Sequence, residues 1–317
     1  MSGDEALVHQ ALLYGEEEEF LTATVPFLKA GLESDDAVLA VVPEPNFTAL
    51  RDTLGSDGKP VRFIDATAFY RHPVRTIASY NDILHSEAPR RLRVLAEPFL
   101  QGRSPLETIE WSRYEAIVNA AFPASGAHVI CGYDTRTAAA DVLEAARRTH
   151  PLLTGWHGTR RNRGYDEPAR FSVDCDRTPL PPPRQRPDSL PFERLEDLRN
   201  VRRFVEGHAR RLAMSELEMV KLRQAVDSVA GNAVKHGTPP MELRLWAEDG
   251  FIVCEVVDFG HWRPDAMVGF LPPDPGTGFE GLWGARMLVD TVQVRAGWSG
   301  TIVRLRSRLQ PEEPSGH

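Results

Sequence analysis

Asn232 and His236 lie four residues apart, a spacing that projects both from one face of a helix. Asp258-Phe259-Gly260, the glycines Gly278 and Gly281, and Gly300-Thr301 follow in that order. Each residue type has a chemical use around a nucleotide. The neutral oxygen of Asn232 can complete the oxygen shell of a Mg²⁺ carried in by phosphates. The Asp258 carboxylate can accept from the exocyclic amine of adenine, and glycines let backbone amides approach phosphate oxygens at a helix N-terminus. Taken alone, the Asn232 to His236 segment reads more simply as an ordinary helix end, so it is the ordered series that points to chemistry.

The elements that must position these residues are legible around them. A helix is predicted over 216–236, capped by Ser215 with Glu218 completing a capping box, an apolar stripe of Leu217, Val220, Val226, Val229 and Ala233, and Gly237 as a left-handed terminator. A preceding helix over 194–212 carries His208, read as a surface residue. MELRLWAE, FIVCEVVD, TVQVRAG and TIVRLRS alternate as one-sided antiparallel strands do, and LWGARMLVD reads as a short helix after a Pro- and Gly-rich loop suited to a lid. Helices on one face of that sheet make a two-layer α+β sandwich. Trp246, Trp262, Trp283 and Trp298 are expected to pack this half, with an exposed one able to anchor a partner.

Upstream, prolines cluster over 178–190, where missing amide donors disfavour helix and central strand, and the segment reads as a semi-rigid linker. Before it, AVLAVV, VRFI, LRVLA and HVICGY alternate with helix-like segments, the rhythm of a parallel sheet with crossover helices in three α/β layers. The domains are therefore expected at 1–177 and 191–309, with a tail at 310–317. No GxxxxGK[ST] loop is present, and Glu16 to Glu19 read as a solvated helix face.

The 317 residues carry 37 Lys plus Arg against 45 Asp plus Glu, a net charge of -8 that disfavours direct DNA binding. Cys131, Cys175 and Cys254 form no CxxC pair, His9, His128 and His157 are isolated, and no metal triad can be assembled from spacing. With no signal peptide and no long apolar run, a cytoplasmic protein without membrane contact is expected.

AVDSVAGNAVKHG (225–237), VVDFG (256–260), GFEGLWGARMLVD (278–290) and GTIVRL (300–305) resemble the motifs of the GHKL nucleotide-binding superfamily, closest to the RsbW and SpoIIAB type of anti-sigma serine kinases. VHQALLYGEEEEFLTATVPFLKAGL (8–32), AEPFLQGRSPLETIEWSRYEAIVNAAF (96–122) and CGYD (131–134) resemble the MEDS sensory domain. Together the pairing is similar to RsbA-like anti-sigma regulators. The resemblance implies a RecA-like α/β domain followed by a Bergerat fold, holding ATP or ADP with Mg²⁺. Asn232 and His236 would face the nucleotide, Asn232 through Mg²⁺, Asp258 would read adenine, and Gly260 and Thr301 would support that end. Gly278, Gly281 and Leu282 would line the phosphate end. Within the MEDS-like segments Glu97, Glu110, Tyr114, Glu115 and Asn119 are candidates for a small-ligand pocket or for surface pairing.

Two positions depart from the family pattern. Ser228 stands where a Glu serves as general base, and a hydroxyl cannot do that work near neutral pH. Asp227 is adjacent, yet one helical position is about 100° of rotation. Glu280 stands where the lid usually has Arg, which adds repulsion toward polyphosphate. The catalytic residue is thus open, and ATP-dependent serine/threonine kinase activity is expected to be weak or lost. Three readings follow: a stress-response transcription regulator that sequesters an alternative sigma factor by partner switching with a STAS-domain anti-anti-sigma factor, as a homodimer; an active kinase of that STAS protein; or a nucleotide-free scaffold.

Overall fold

The structure, a computed structural model, describes residues 6–98, 100, 102–155, 157–262, 265, 267–271 and 281–310. The chain forms two compact units, 1–172 and 173–317.

The first unit is built on a seven-stranded sheet of β1 (Val8–Tyr14), β2 (Ala37–Val42), β3 (Arg62–Asp65), β4 (Leu92–Ala96), β5 (His128–Asp134), β6 (Leu152–Gly155) and β7 (Gly158–Arg161), in the order β3-β2-β4-β5-β1-β6-β7. All neighbours pair in parallel except β7, which turns back on β6. Every residue of β2 and β4 is buried, as strands covered on both faces must be. The crossovers carry α1 (Glu17–Glu33), α2 (Asn46–Leu54), α3 (Ala66–Phe69), α4 (Pro73–Glu87), α5 (Pro105–Ala121) and α6 (Ala140–Thr149), and α7 (Pro168–Cys175) follows β7. The Glu run opens α1, where Glu17, Glu18 and Glu19 complement the positive end of the helix dipole. Ser104 and Glu107 close a reciprocal capping box on α5.

The central strand β1 was not among the expected strands, because His9 and Gln10 interrupt its apolar pattern. Both are nevertheless buried, so their polar atoms must be satisfied inside the core.

The second unit is a five-stranded antiparallel sheet of β8 (Asp188–Phe192), β9 (Met241–Glu248), β10 (Phe251–Asp258), β11 (Thr291–Gly297) and β12 (Gly300–Arg308), ordered β11-β12-β10-β9-β8. Its helices α8 (Leu198–Arg211), α9 (Glu216–His236) and α10 (Gly281–Leu288) share one core with the sheet, in which Val201, Val205, Leu222 and Val226 meet Leu243, Leu245 and Ile252. The stretch expected as a linker is bonded to this unit: Arg295 Nε donates to Thr178 O, Arg304 Nη2 to Pro181 O, and Gln185 Nε2 to Ala247 O. Its last residues open β8, where Pro191 is tolerated because β8 is an edge strand.

Four local expectations change in α8 and α9. Ser215 Oγ does cap α9 by accepting from Glu218 N at 3.3 Å, but the Glu218 carboxylate pairs with Lys221 Nζ at 2.8 Å instead of closing a box. The buried stripe begins at Met219 and Leu222, while Leu217 is 63% exposed. Gly237 is extended (φ -82°), not left-handed; a Cβ there would lie 2.5 Å from Ala233 O and 2.9 Å from Asp258 Cγ. His208 is buried and bonds Asp188 at 2.7 Å, tying α8 to β8. Ser215→Ala removes the one side-chain cap of α9 and is expected to cost about 1 kcal/mol, read as a lower urea midpoint at constant slope.

Candidate functional site

The second unit holds a cleft of about 200 Å³ at the end of α9. Asn232 and His236 line it from α9, Asp258 from the end of β10, Gly260 from the turn beyond, Leu282 from α10 and Thr301 from the start of β12. Residues spread over 70 positions converge because Asp258 and Thr301 are direct partners across β10 and β12, which puts their side chains on one face of the sheet. Gly300 makes that pairing feasible: its φ is +124°, and a Cβ would lie 2.2 Å from Asp258 O.

The polar groups of the cleft are arranged for a ligand edge. Asp258 is buried, and its Oδ1 accepts from Gly260 N at 2.7 Å. No other hydrogen bond reaches this carboxylate among the described residues, so Oδ2 remains an acceptor. Beside it the buried Thr301 Oγ1 has no hydrogen-bond partner. A buried acceptor next to an orphaned hydroxyl is the pair that an amino-purine edge, with an N–H donor beside a ring nitrogen, satisfies. Asn232 also lines the cleft, with its Nδ2 3.9 Å from where a Cβ on Gly281 would be. The residues present therefore fit an adenine nucleotide at the base end. Gly278 and Glu280, on the phosphate side of the expected site, lie outside the described residues.

Ser228, one turn before Asn232, does not face the cleft as a free hydroxyl: its Oγ donates to Gly281 O at 3.1 Å and ties α9 to the first residue of α10. Asp227 is engaged elsewhere. Its two carboxylate oxygens accept from Arg202 Nε and Nη2 at 2.7 and 3.0 Å, which turns it toward α8 and off the lining of the cleft. No carboxylate at either position is placed to take a proton from an attacking hydroxyl.

Among the tryptophans, Trp246 and Trp283 are buried and Trp262 lines the cleft. Trp298, on the turn between β11 and β12, is 79% exposed beside His261, and Phe259 is 55% exposed.

In the first unit a crevice of about 640 Å³ opens at the carboxyl ends of β1, β2, β4 and β5, the place where ligands enter open α/β sheets. There Tyr14 Oη and Asn46 Nδ2 both donate to the Glu97 carboxylate, each at 2.6 Å. Burial raises the Glu97 pKa, against those two hydrogen bonds. The other candidates of this unit do not join Glu97. Glu110 pairs with Arg113 at 3.5 Å, and Tyr114 is buried among Tyr70 and Trp111. Glu115 and Asn119 contact a fully buried group that also contains His9, Cys131 and His150. Spacing concealed this group because its members come from β1, α5, β5 and the residue after α6, which no local pattern links.

No helix among the described residues is long and apolar enough to cross a membrane. Residues 8–151 match the family described as MEDS, the methanogen/methylotroph DcmR sensory domain, and residues 193–307 match the histidine kinase-like ATPase domain. Similar solved structures include the RsbU and RsbW domains of a Mycobacterium tuberculosis protein, at 21% identity and a TM-score of 0.31 over 39% of this chain. The match spans 33% of that neighbour's length. No curated protein matches the chain.

Proposed function

We infer that this chain, which joins an N-terminal MEDS domain to a C-terminal histidine kinase-like ATPase domain, is a cytoplasmic partner-switching regulator that holds an alternative sigma factor. One observation carries the reading: Asn232, Asp258 and Thr301 converge on one cleft, while Ser228 and Asp227 are both committed to other bonds. A domain that keeps the base end of a nucleotide site without a general base is suited to binding nucleotide and protein rather than to transferring phosphate. When bound, the nucleotide would bring Mg²⁺ and its phosphates toward Asn232, with Asp258 and Thr301 holding the adenine edge. The MEDS domain would supply the input, with the Glu97 crevice as the place for a small ligand.

Titration of the full chain with purified alternative sigma factors, with and without Mg-ADP, tests the reading. One sigma factor is expected to bind and to be displaced by a STAS-domain protein. Absence of any sigma complex under both conditions would overturn it. Labelled ATP added with the STAS protein is expected to give little transfer, since a general base contributes about 10²- to 10⁴-fold. Rapid stoichiometric phosphorylation would instead establish the kinase. Trp298 is the most exposed large aromatic among the described residues of the second unit, and aromatic anchors dominate interface energies. Trp298→Ala is expected to weaken the sigma complex by about 30-fold, equivalent to about 2 kcal/mol, with an unchanged melting midpoint.

A further inference from the structure

We propose that His9, Glu115, Cys131 and His150 form a closed, four-coordinate Zn²⁺ site inside the first unit. Each offers one ligand atom, all four atoms lie within 4.8 Å of one another, and all four residues are buried. His9 Nε2 is 3.3 Å from Cys131 Sγ and 3.6 Å from Glu115 Oε2. His150 Nε2 and Cys131 Sγ are 3.4 and 3.6 Å from the same carboxylate oxygen. A tetrahedron with metal–ligand bonds of about 2.0–2.3 Å has edges of about 3.3–3.8 Å, so these four separations match a zinc shell, and the remaining two, from His150 to His9 and Cys131, lie within 4.8 Å and need at most a small closure.

The surrounding hydrogen bonds decide which way the imidazoles present themselves. His150 Nδ1 meets the carbonyl of Ala146 at 2.8 Å, and a carbonyl can only accept, so Nδ1 carries the proton. Asn119 Nδ2 donates to the carbonyls of Glu115, Ala116 and Thr149, which orients its Oδ1 toward His9 Nδ1 at 3.1 Å as an acceptor. His9 Nδ1 is therefore protonated as well. With each ring carrying its single proton on Nδ1, the Nε2 lone pair points into the group, where it faces a carboxylate. Two lone pairs and a carboxylate sharing one buried space repel unless a cation sits between them. The single thiol proton of Cys131 cannot serve all three, and His150 Nε2 and Glu115 Oε1 have no hydrogen-bond partner. Imidazoles that donate Nδ1–H to oxygen acceptors and aim Nε2 inward are the arrangement that orients metal-bound histidines.

The ligand set matches the ion in charge. A carboxylate and a thiolate balance Zn²⁺ when the Cys131 Sγ proton is released to the buffer on binding, which leaves the buried site neutral. Four protein ligands leave no open position, so the ion would be structural, pinning β1, β5, α5 and the end of α6 together.

The test uses the full chain without an affinity tag, stripped with chelator and loaded with Zn²⁺ or Co²⁺. About one Zn²⁺ per chain is expected to survive gel filtration, and the melting midpoint is expected to rise with added Zn²⁺. Co²⁺ is expected to give the visible bands of a tetrahedral site together with thiolate-to-cobalt charge transfer. Cys175→Ser, which removes a thiol outside the group, should keep that charge transfer, and Cys131→Ser should abolish it. Uptake below about a tenth of an equivalent would overturn the site, leaving the group as a proton-sharing core cluster. So would a wild-type Co²⁺ spectrum without thiolate charge transfer, a reading that needs no variant to fold.

Discussion

Replacing Asp258 with alanine is expected to lower the affinity of the full chain for Mg-ATP by about 100-fold, because a hydrogen bond to a buried charge is worth about 1.5–3 kcal/mol. Alanine also strips the acceptor from Gly260 N, so part of its effect is on the turn that shapes the cleft. Asp258→Asn separates the two. Its amide oxygen can still accept from Gly260 N, but its NH₂ replaces the Oδ2 acceptor and opposes the amine of adenine with a second donor. The Asp258→Asn variant is therefore expected to melt like the parent, to lose ATP, and to discriminate less against a purine that carries a keto oxygen at that edge. Calorimetric titration with ATP and GTP reads both effects. Unchanged ATP affinity in a folded Asp258→Asn variant would remove Asp258 from the site.

The second large effect lies on the sheet beneath. Arg304 and Glu255 face each other across β12 and β10, with Arg304 Nε and Nη2 donating to Glu255 Oε1 at 2.8 and 2.5 Å. Their side chains are only 3% and 4% exposed, and the guanidinium also packs over Trp246 and bonds Pro181 O. Arg304→Ala leaves Glu255 buried with only Arg244, 3.9 Å from its other oxygen. Removing one partner of a buried pair costs about 3–5 kcal/mol, a large share of a domain's total stability of about 5–15 kcal/mol. The melting midpoint of the second unit is expected to fall by about 10–15 °C. The double variant Arg304→Met with Glu255→Leu is expected to recover most of the loss, since two apolar chains of similar volume remove the stranded charge. A double variant no more stable than Arg304→Ala would mean that the Trp246 and Pro181 contacts, not the charge, set the cost.

The parts of this architecture that could be read from the chain are those in which one physical demand dominates the residues. The run in β2 is apolar throughout and β4 is interrupted only by Arg93, because both faces are covered, and β9 alternates because one face meets α9, whereas β10, expected to alternate, is buried from Ile252 to Asp258. Asn232, Asp258, Gly260 and Thr301, singled out by residue type and order, and His236 and Leu282, added by the family resemblance, are brought together along one cleft. The unexpected elements are those in which two demands compete. In β1 the core position of His9 is polar because it belongs to the buried group with Glu115, Cys131 and His150. In β8 a proline appears because an edge strand needs only one row of amides. Gly237 was correctly marked as special but for the wrong reason: it yields space to Asp258 across the fold, a constraint that no local pattern carries. The bonds of Ser228 to Gly281 O and of Asp227 to Arg202 are long-range in the same sense, and they decide what the cleft lacks.

The most direct test is an experimental structure of the full chain with Mg-ADP. Adenine is expected against Asp258 Oδ2 and Thr301 Oγ1, with the phosphates and Mg²⁺ on the Asn232 side of the cleft. A saturated crystal in which ADP lies elsewhere, or in which side chains of this unit fill the space between Asp258 and Thr301, would contradict the account.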